Sequence, residues 1–210
     1  MTYLIFSDVH GNLPALEKVI AHEKDTEGYI HLGDAVNYGP WSNECVELID
    51  SLENCINVKG NHEDYFELKS CRVKNELVQK FYESTIDDFK HFDIIKNYKE
   101  RVTFHDFELV HNLDHHSYVF VDTDVQIDSN KIIGHSHQQY ERIVNHKKLL
   151  NPGSIGQNRK EINLSNYALW NLEKNTFELK EIEHDIELLI NEMVSKRYPI
   201  DCINYYKNKL

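Results

Sequence analysis

Five groups of oxygen- and nitrogen-bearing side chains punctuate the chain: Asp8 with His10, Asp34, Asn61 with His62, His111, and His135 with His137. They offer carboxylate, amide oxygen and imidazole, and no cysteine stands among them. Such a mixed set suits Mn, Fe, Zn or Ni better than Ca, and it does not describe an all-thiolate zinc site. Taken singly, each group has a plain structural reading. An Asp after a strand commonly ends a turn or caps a helix, which covers Asp34. His111 alone reads as a hydrogen-bonded, partly buried histidine, and His135-Ser136-His137 as a surface loop. Together they point to a metal site, because most of them follow short apolar runs. Gly33 also precedes Asp34, Gly60 precedes Asn61-His62, and Gly134 precedes His135. Glycine lets the backbone bend tightly where a site is crowded.

The elements that must position these groups follow from hydrophobic periodicity. Residues 3–6 form an apolar run that reads as a buried strand, with Asp8 and His10 just beyond it. In an extended segment, residues two apart point the same way, and open α/β sheets place their ligand crevice at such strand ends. Gly11-Asn12 permits a sharp turn and Pro14 suits a helix's first turn. Leu13, Leu16, Val19 and Ile20 give that helix its apolar stripe, ending before Gly28. Residues 29–32 form a second strand leading into Gly33-Asp34. Cys45, Leu48, Ile49 and Leu52 mark a second helix, with Ser42 or Asn43 as its N-cap. Residues 55–58 form a third strand, followed by Gly60-Asn61-His62-Glu63. This strand–helix alternation is the sequence form of a parallel sheet.

Residues 73–92 read as a helix on Leu77, Phe81, Ile86, Phe89 and Phe92, with a break near Ser84-Thr85. Strands then dominate. Three hairpins are expected: 101–104 with 107–111, 141–144 with 147–150, and 167–172 with 176–182. A strand at 131–133 runs into Gly134-His135-Ser136-His137. Two helices close the chain, one over 185–196 and one from 201, each opening with an Asp cap. No repeat, low-complexity segment or linker interrupts it, so a single domain over residues 1–210 is expected.

At 210 residues, with 40% apolar and 28% charged residues, the chain has the composition of an ordinary soluble domain with a sizeable core. A net charge of −12 disfavours a phosphate-binding surface for long nucleic acid. A small phosphorylated ligand stays compatible if metal ions supply local positive charge. No run approaches the ~18 apolar residues of a membrane span, and the first residues lack a basic segment followed by a long apolar one, so no secretory signal is expected. The four cysteines have no Cys-x-x-Cys spacing. Reduced thiols and a cytoplasmic location are expected.

Asp8-Val9-His10, Gly33-Asp34, Gly60-Asn61-His62-Glu63, His111 and Gly134-His135-Ser136-His137 resemble, in this order, the signature of the calcineurin-like metallophosphoesterases. The longer stretches Ser7 to Leu16, Leu32 to Pro40 and Asn151 to Gln157 resemble a bacterial subgroup of small phosphoesterases. That subgroup is similar to diadenosine tetraphosphatases and serine/threonine phosphatases. The resemblance implies a four-layer α/β fold of two facing mixed β-sheets flanked by helices. It implies two divalent metal ions, with Mn expected and Fe, Zn, Ni or Mg as alternatives. Asp8, His10 and His137 would hold one ion, and Asn61, His111 and His135 the other, with Asp34 bridging. The implied reaction is hydrolysis of a phosphomonoester or small phosphodiester by in-line attack of a hydroxide held between the metals. His62 would be the catalytic side chain that stabilises charge or protonates the leaving oxygen, with Glu63 orienting its ring.

The chain departs from the subgroup in places. Asn112 stands where Gly is usual, a substitution that a left-handed turn tolerates. The segment Leu113-Asp114-His115-His116 lacks the usual small-residue and Pro pattern, which leaves His115 or His116 as alternatives to His111. Ser136 replaces Thr. Arg159 lacks its usual preceding Pro and reads either as a bidentate phosphate clamp or as a surface ion-pair residue. Tyr38 either lines the pocket or packs its loop. A scaffold module on the same fold is the alternative function, and the complete ligand set favours the hydrolase. Monoesters, diesters and dinucleoside polyphosphates all stay open, because pocket walls choose between them. Oligomeric state is not legible.

Overall fold

The structure, a computed structural model, describes residues 1–114 and 118–210. It begins with β1 (Thr2–Phe6), whose Leu4, Ile5 and Phe6 are all fully buried. A strand covered on both faces needs apolar residues at successive positions, which explains the continuous run. β1 is the middle strand of a five-stranded sheet. Beside it on one flank lie β2 (Gly28–His31) and then β3 (Cys55–Asn57), both parallel. On the other flank β9 (Leu164–Asn171) runs antiparallel to β1, and β10 (Thr176–Glu183) runs antiparallel to β9 at the sheet's edge. The parallel crossovers carry α1 (Leu13–His22) and α2 (Ser42–Ser51).

The second sheet comprises β4 (Arg101–Phe104), β5 (Phe107–Val110), β6 (Asn130–Ile132), β7 (Gln139–Val144) and β8 (Lys147–Pro152). Its order is β4-β5-β6-β8-β7, with β5, β6 and β8 parallel and antiparallel strands at both edges. The two mixed sheets face each other through Ile5, Ile30 and Trp170 from one side and Phe107, Leu109, Ile132 and Leu150 from the other. Each such side chain contributes roughly 1.5–3 kcal/mol on burial. The outer face of the first sheet is covered by α1, α2 and α3 (Asn61–Glu67) through Leu16, Val19, Val46, Ile49 and Phe66. Further out, α4 (Glu76–Ile86), α6 (Ile186–Ser195) and α7 (Ile200–Lys207) pack together on Phe81, Leu189, Met193 and Tyr206. The outer face of the second sheet packs Tyr140 and Leu149 against Val119, Val125 and Ile127.

Three local expectations need correction. The helix expected over 73–92 begins only at Glu76, and the break expected near Ser84-Thr85 falls just after Ile86, ahead of a separate short helix. Asn75 caps α4 by accepting from the Leu77 and Val78 amides. Near its end, the Ser84 and Thr85 hydroxyls bond back to the Lys80 and Phe81 carbonyls, which weakens the last turn. Phe92 then opens α5 (Phe92–Ile95), packing edge-on against Phe89 at 4.9 Å. α2 begins at Ser42 with Trp41 in the cap position, and the Ser42 hydroxyl instead accepts from the Asn37 amide at 3.1 Å. α7 starts after Pro199, so Asp201 lies within its first turn and pairs with Lys80 rather than capping. The cap at Asp185 holds, since its carboxylate accepts from the Glu187 amide. Among the described residues, no helix is long and apolar enough to cross a membrane.

Candidate metal centre

The polar groups sit where strands of both sheets end. Asp8 and His10 follow β1, Asp34 follows β2, and Asn61 and His62 open α3 after β3. His111 follows β5, and His135 and His137 follow β6. The loops bring all eight side chains together. His137 Nε2 lies 3.3 Å from Asp8 Oδ1 and 3.2 Å from His10 Nε2. His111 Nε2 lies 3.2 Å from Asn61 Oδ1 and 3.2 Å from His135 Nδ1. Between these triads stands Asp34, whose Oδ2 is 3.8 Å from His10 Nε2 and 3.2 Å from His111 Nε2. His62 Nε2 also approaches Asp34 Oδ2, at 3.9 Å. His115 and His116, the alternatives to His111, lie outside the described residues.

The backbone bends hard to achieve this. Asp8, His10, Asp34, His135 and His137 are all left-handed, with φ of 53°, 49°, 58°, 66° and 58°. Each such residue costs on the order of 1–2 kcal/mol. Gly60 lets two ligand loops touch, because a Cβ there would fall 2.2 Å from Asp34 Oδ1. Glu63 braces the same loops. Its fully buried carboxylate accepts from the amides of Asp34, Ala35 and Gly60, each at 2.8 Å. This corrects the expected role of Glu63, which holds the Asp34 and Gly60 backbones and makes no hydrogen bond to the His62 ring. Asn37 occupies that position: its Nδ2 is 2.8 Å from His62 Nδ1, and its Oδ1 accepts from the Tyr38 amide at 2.6 Å.

Three of the histidines share a ring orientation. Nδ1 of His10, His111 and His137 donates to the carbonyls of Val36, Leu32 and Gln157, at 3.3, 2.7 and 2.6 Å. With its hydrogen on Nδ1, each ring turns Nε2 towards the cluster, and in the neutral form that atom carries the lone pair a ligand histidine needs. Asp8 Oδ1 is fully buried and has no hydrogen-bond partner. An orphaned carboxylate oxygen among inward lone pairs fits a divalent cation, which would take the place of the missing donors.

Electrostatics agree with a cation-seeking site. Burial raises the pKa of Asp8 and Asp34, but the facing histidines outweigh it and hold both carboxyls below the ordinary range. Burial pulls His111 down, and Asp34 and Asp8 push it up to about 10. Burial lowers His10 and His62, and burial with the His111 charge lowers His135 to about 4. Burial and Asp34 push the Glu63 carboxyl up to about 7.

The family model for the calcineurin-like phosphoesterase superfamily domain matches residues 1–175, a span that contains every group described above. The chain belongs to this superfamily. An uncharacterized protein of Methanocaldococcus jannaschii is 30% identical over 232 aligned positions, covering 93% of each chain. The crystal structure of a metallophosphoesterase from Sphaerobacter thermophilus superimposes with a TM-score of 0.83 at 23% identity, covering 100% of this chain and 99% of the other. A hypothetical protein from Pyrococcus horikoshii OT3 gives 0.81 at 15% identity, covering 98% and 97%. The two structures share the fold of two facing mixed sheets. Family membership makes the chain a phosphoester hydrolase, and divalent metal binding goes with the family.

The remaining residues of this phosphoesterase's site lie around a cavity of about 700 Å³ over His10, Asp34, Asn61 and His62. Arg159 lines it, with its guanidinium 4.8 Å from the Tyr118 ring centroid. Tyr118 in turn stacks on His135 at 4.6 Å and 14°. No carboxylate pairs with Arg159 among the described residues. Tyr38 lines the cavity and also packs its loop, with ring centroids 4.8 Å from His10 and 4.6 Å from Phe81. Sequence reasoning missed Asn37, Tyr118 and the brace at Glu63. The one signal for Asn37 was its place three residues beyond Gly33-Asp34, in a loop already assigned to the site.

Proposed function

We propose that this phosphoesterase hydrolyses small organic phosphate esters at a centre of two divalent ions, with Mn as the expected metal. Asp8, His10 and His137 hold one ion, Asn61, His111 and His135 the other, and Asp34 is shared. One observation carries this reading: a single carboxylate oxygen, Asp34 Oδ2, lies 3.8 Å from His10 Nε2 and 3.2 Å from His111 Nε2, between two separate triads. When bound, such ions supply Lewis acidity and a water activated for attack on phosphorus. The chain's own residues do the rest. Carbonyls hold the ligand rings with their lone pairs inward. Glu63 fixes the Asp34 and Gly60 backbones in register. Arg159, braced on Tyr118, binds phosphoryl oxygens through its fork of N–H donors. His62 faces the same space and assists the departing oxygen.

The substrate class follows from the cavity. About 700 Å³ is room for a small organic ester, within the ordinary range of ligand pockets. Lys59, Lys74, Arg101 and Arg159 line it opposite Asp34, Asp64, Glu100 and Asp114, so its walls are charge-balanced in a chain whose net charge is −12, and bound divalent ions would tip the site towards an anion. The free cysteines Cys45, Cys55, Cys71 and Cys202 fit a reducing, cytoplasmic setting. The test is metal dependence. Chelator-treated protein should lose hydrolysis of an aryl phosphate, and Mn should restore it while elemental analysis finds two ions per chain. Full turnover in metal-free protein would sink the proposal.

A further inference from the structure

Resting on that reading of the site, we propose that Asn37 is a positioning residue that keeps the hydrogen of His62 on Nε2. His62 then meets the ester's leaving oxygen as a hydrogen-bond donor and is barred from ligating metal. The donors and acceptors allow one arrangement. A backbone N–H only donates, so the Asn37 atom 2.6 Å from the Tyr38 amide is Oδ1. Nδ2 is therefore the atom facing His62 Nδ1 at 2.8 Å. An amide NH₂ also only donates, so His62 Nδ1 must accept through its lone pair. A neutral imidazole has one N–H, and here it stands on Nε2.

His10, His111 and His137 are set the opposite way, because their Nδ1 atoms face carbonyls. Position alone does not sort these rings: His62 Nε2 is 3.9 Å from Asp34 Oδ2 and His10 Nε2 is 3.8 Å from it. The partner of the far nitrogen sorts them. A carbonyl leaves an inward lone pair suited to a metal, and the Asn37 amide leaves an inward N–H suited to an oxygen that gains negative charge. The fold accepts strain to place that amide. Asn37 and Tyr38 are successive left-handed residues, with φ of 72° and 62°, and Asn37 is fully buried. No bond to His62 breaks in this role. The ring keeps its hydrogen, and the departed oxygen takes its proton from solvent.

Nitrogen-15 NMR of labelled imidazole reads the assignment directly, in metal-free protein and in diamagnetic Mg-loaded protein. Wild type should show His62 with Nε2 protonated and Nδ1 bare in both. Asn37→Asp, which presents an acceptor, should place a hydrogen on Nδ1. Asn37→Gly tolerates the left-handed backbone and has no amide, so it should give mixed tautomers. It should also lose about tenfold in kcat on an alkyl phosphate, the worth of one buried hydrogen bond. Its KM and metal content should stay unchanged, with a smaller loss on nitrophenyl phosphate. A wild-type His62 with Nδ1 protonated, or with its Nε2 signal shifted as a ligand's on loading, would overturn the proposal. Loaded protein that cleaves no phosphate ester would overturn the leaving-oxygen role together with the proposed function, while the ring signal still reports the tautomer.

Discussion

Glu63 offers a sharp test of how the loops are held. Three backbone amides, from Asp34, Ala35 and Gly60, reach its carboxylate at 2.8 Å, and that from Val36 at 3.4 Å. Glu63→Gln keeps the shape and one acceptor oxygen. If that oxygen stays on the Asp34 and Gly60 amides, the new NH₂ faces the Ala35 and Val36 amides donor to donor. The short Ala35 bond and the long Val36 one are then lost, the buried Ala35 N–H is orphaned, and the two retained bonds lose their charge. Hydrogen bonds to charged groups contribute roughly 1.5–3 kcal/mol each, so a loss of about 3 kcal/mol is expected. Against a typical total of roughly 5–15 kcal/mol this is large but leaves a folded protein. Urea unfolding of metal-free protein at pH 8 measures it, above the value near 7 to which burial and Asp34 push this carboxyl. Metal titration of the same variant should show weaker binding, because Asp34 and Asn61 lie on the loops that Glu63 ties. The His62 tautomer should not move. A variant within about 0.5 kcal/mol of wild type and with unchanged metal affinity would refute the brace.

Asp34→Asn should lose metal content and the thermal stabilisation that Mn confers. His62→Ala should keep both while losing roughly 10²–10⁴-fold in turnover, and equal metal loss in the two variants would make His62 a ligand. His31 is fully buried with neither ring nitrogen bonded, and burial and the His111 charge lower it to about 4 from 6.5. The unfolded chain therefore binds the proton first as pH falls, and stability drops between about pH 6.5 and 4 by up to about 3 kcal/mol. His31→Phe, stacking on Phe6 as the imidazole does, should flatten that slope in urea unfolding of metal-free protein; an unchanged slope would count against it. Thiol titration of denatured, unreduced protein should find four groups, and fewer would contradict the unpaired cysteines.

Much of this was legible in the chain. The apolar run Leu4-Ile5-Phe6 announced a strand buried on both faces, and five groups at element ends announced where a site would form. The limits were physical. The 73–92 periodicity is genuine, since Phe81, Phe89 and Phe92 all pack inward. The break expected near Ser84-Thr85 falls just after Ile86, where hydroxyls turn back on their own helix, but periodicity does not report that the helix starts only at Glu76 or that the second piece is a single turn. Glu63 looked like a partner for His62 because it is adjacent in sequence. In α3, adjacent side chains diverge by about 100°, so a residue next to His62 is poorly placed to orient its ring. The residue that does so, Asn37, comes from another loop through a contact that no spacing rule predicts.

The residue types of the motif answer two demands at once. Five proposed ligands, Asp8, His10, Asp34, His135 and His137, occupy left-handed backbone. Glycine would adopt it more easily but offers no ligand atom. Asp, Asn and His are the other residues enriched there, and they are also the side chains that bind hard and borderline cations. A strand that must end abruptly and present a ligand within two residues is therefore confined to these types. The same preference has an ordinary use elsewhere: His105, Asn145, His146 and Asn175 are left-handed in the hairpin turns, far from any proposed metal role. Residue type alone thus cannot mark the site. What separates Asp34 from Asn145 is the company it keeps: a parallel strand before it, a glycine that admits a second loop, and a buried carboxylate bracing the turn. Asn37 fits the same logic without being a ligand, since the left-handed backbone it tolerates is what delivers its amide to His62.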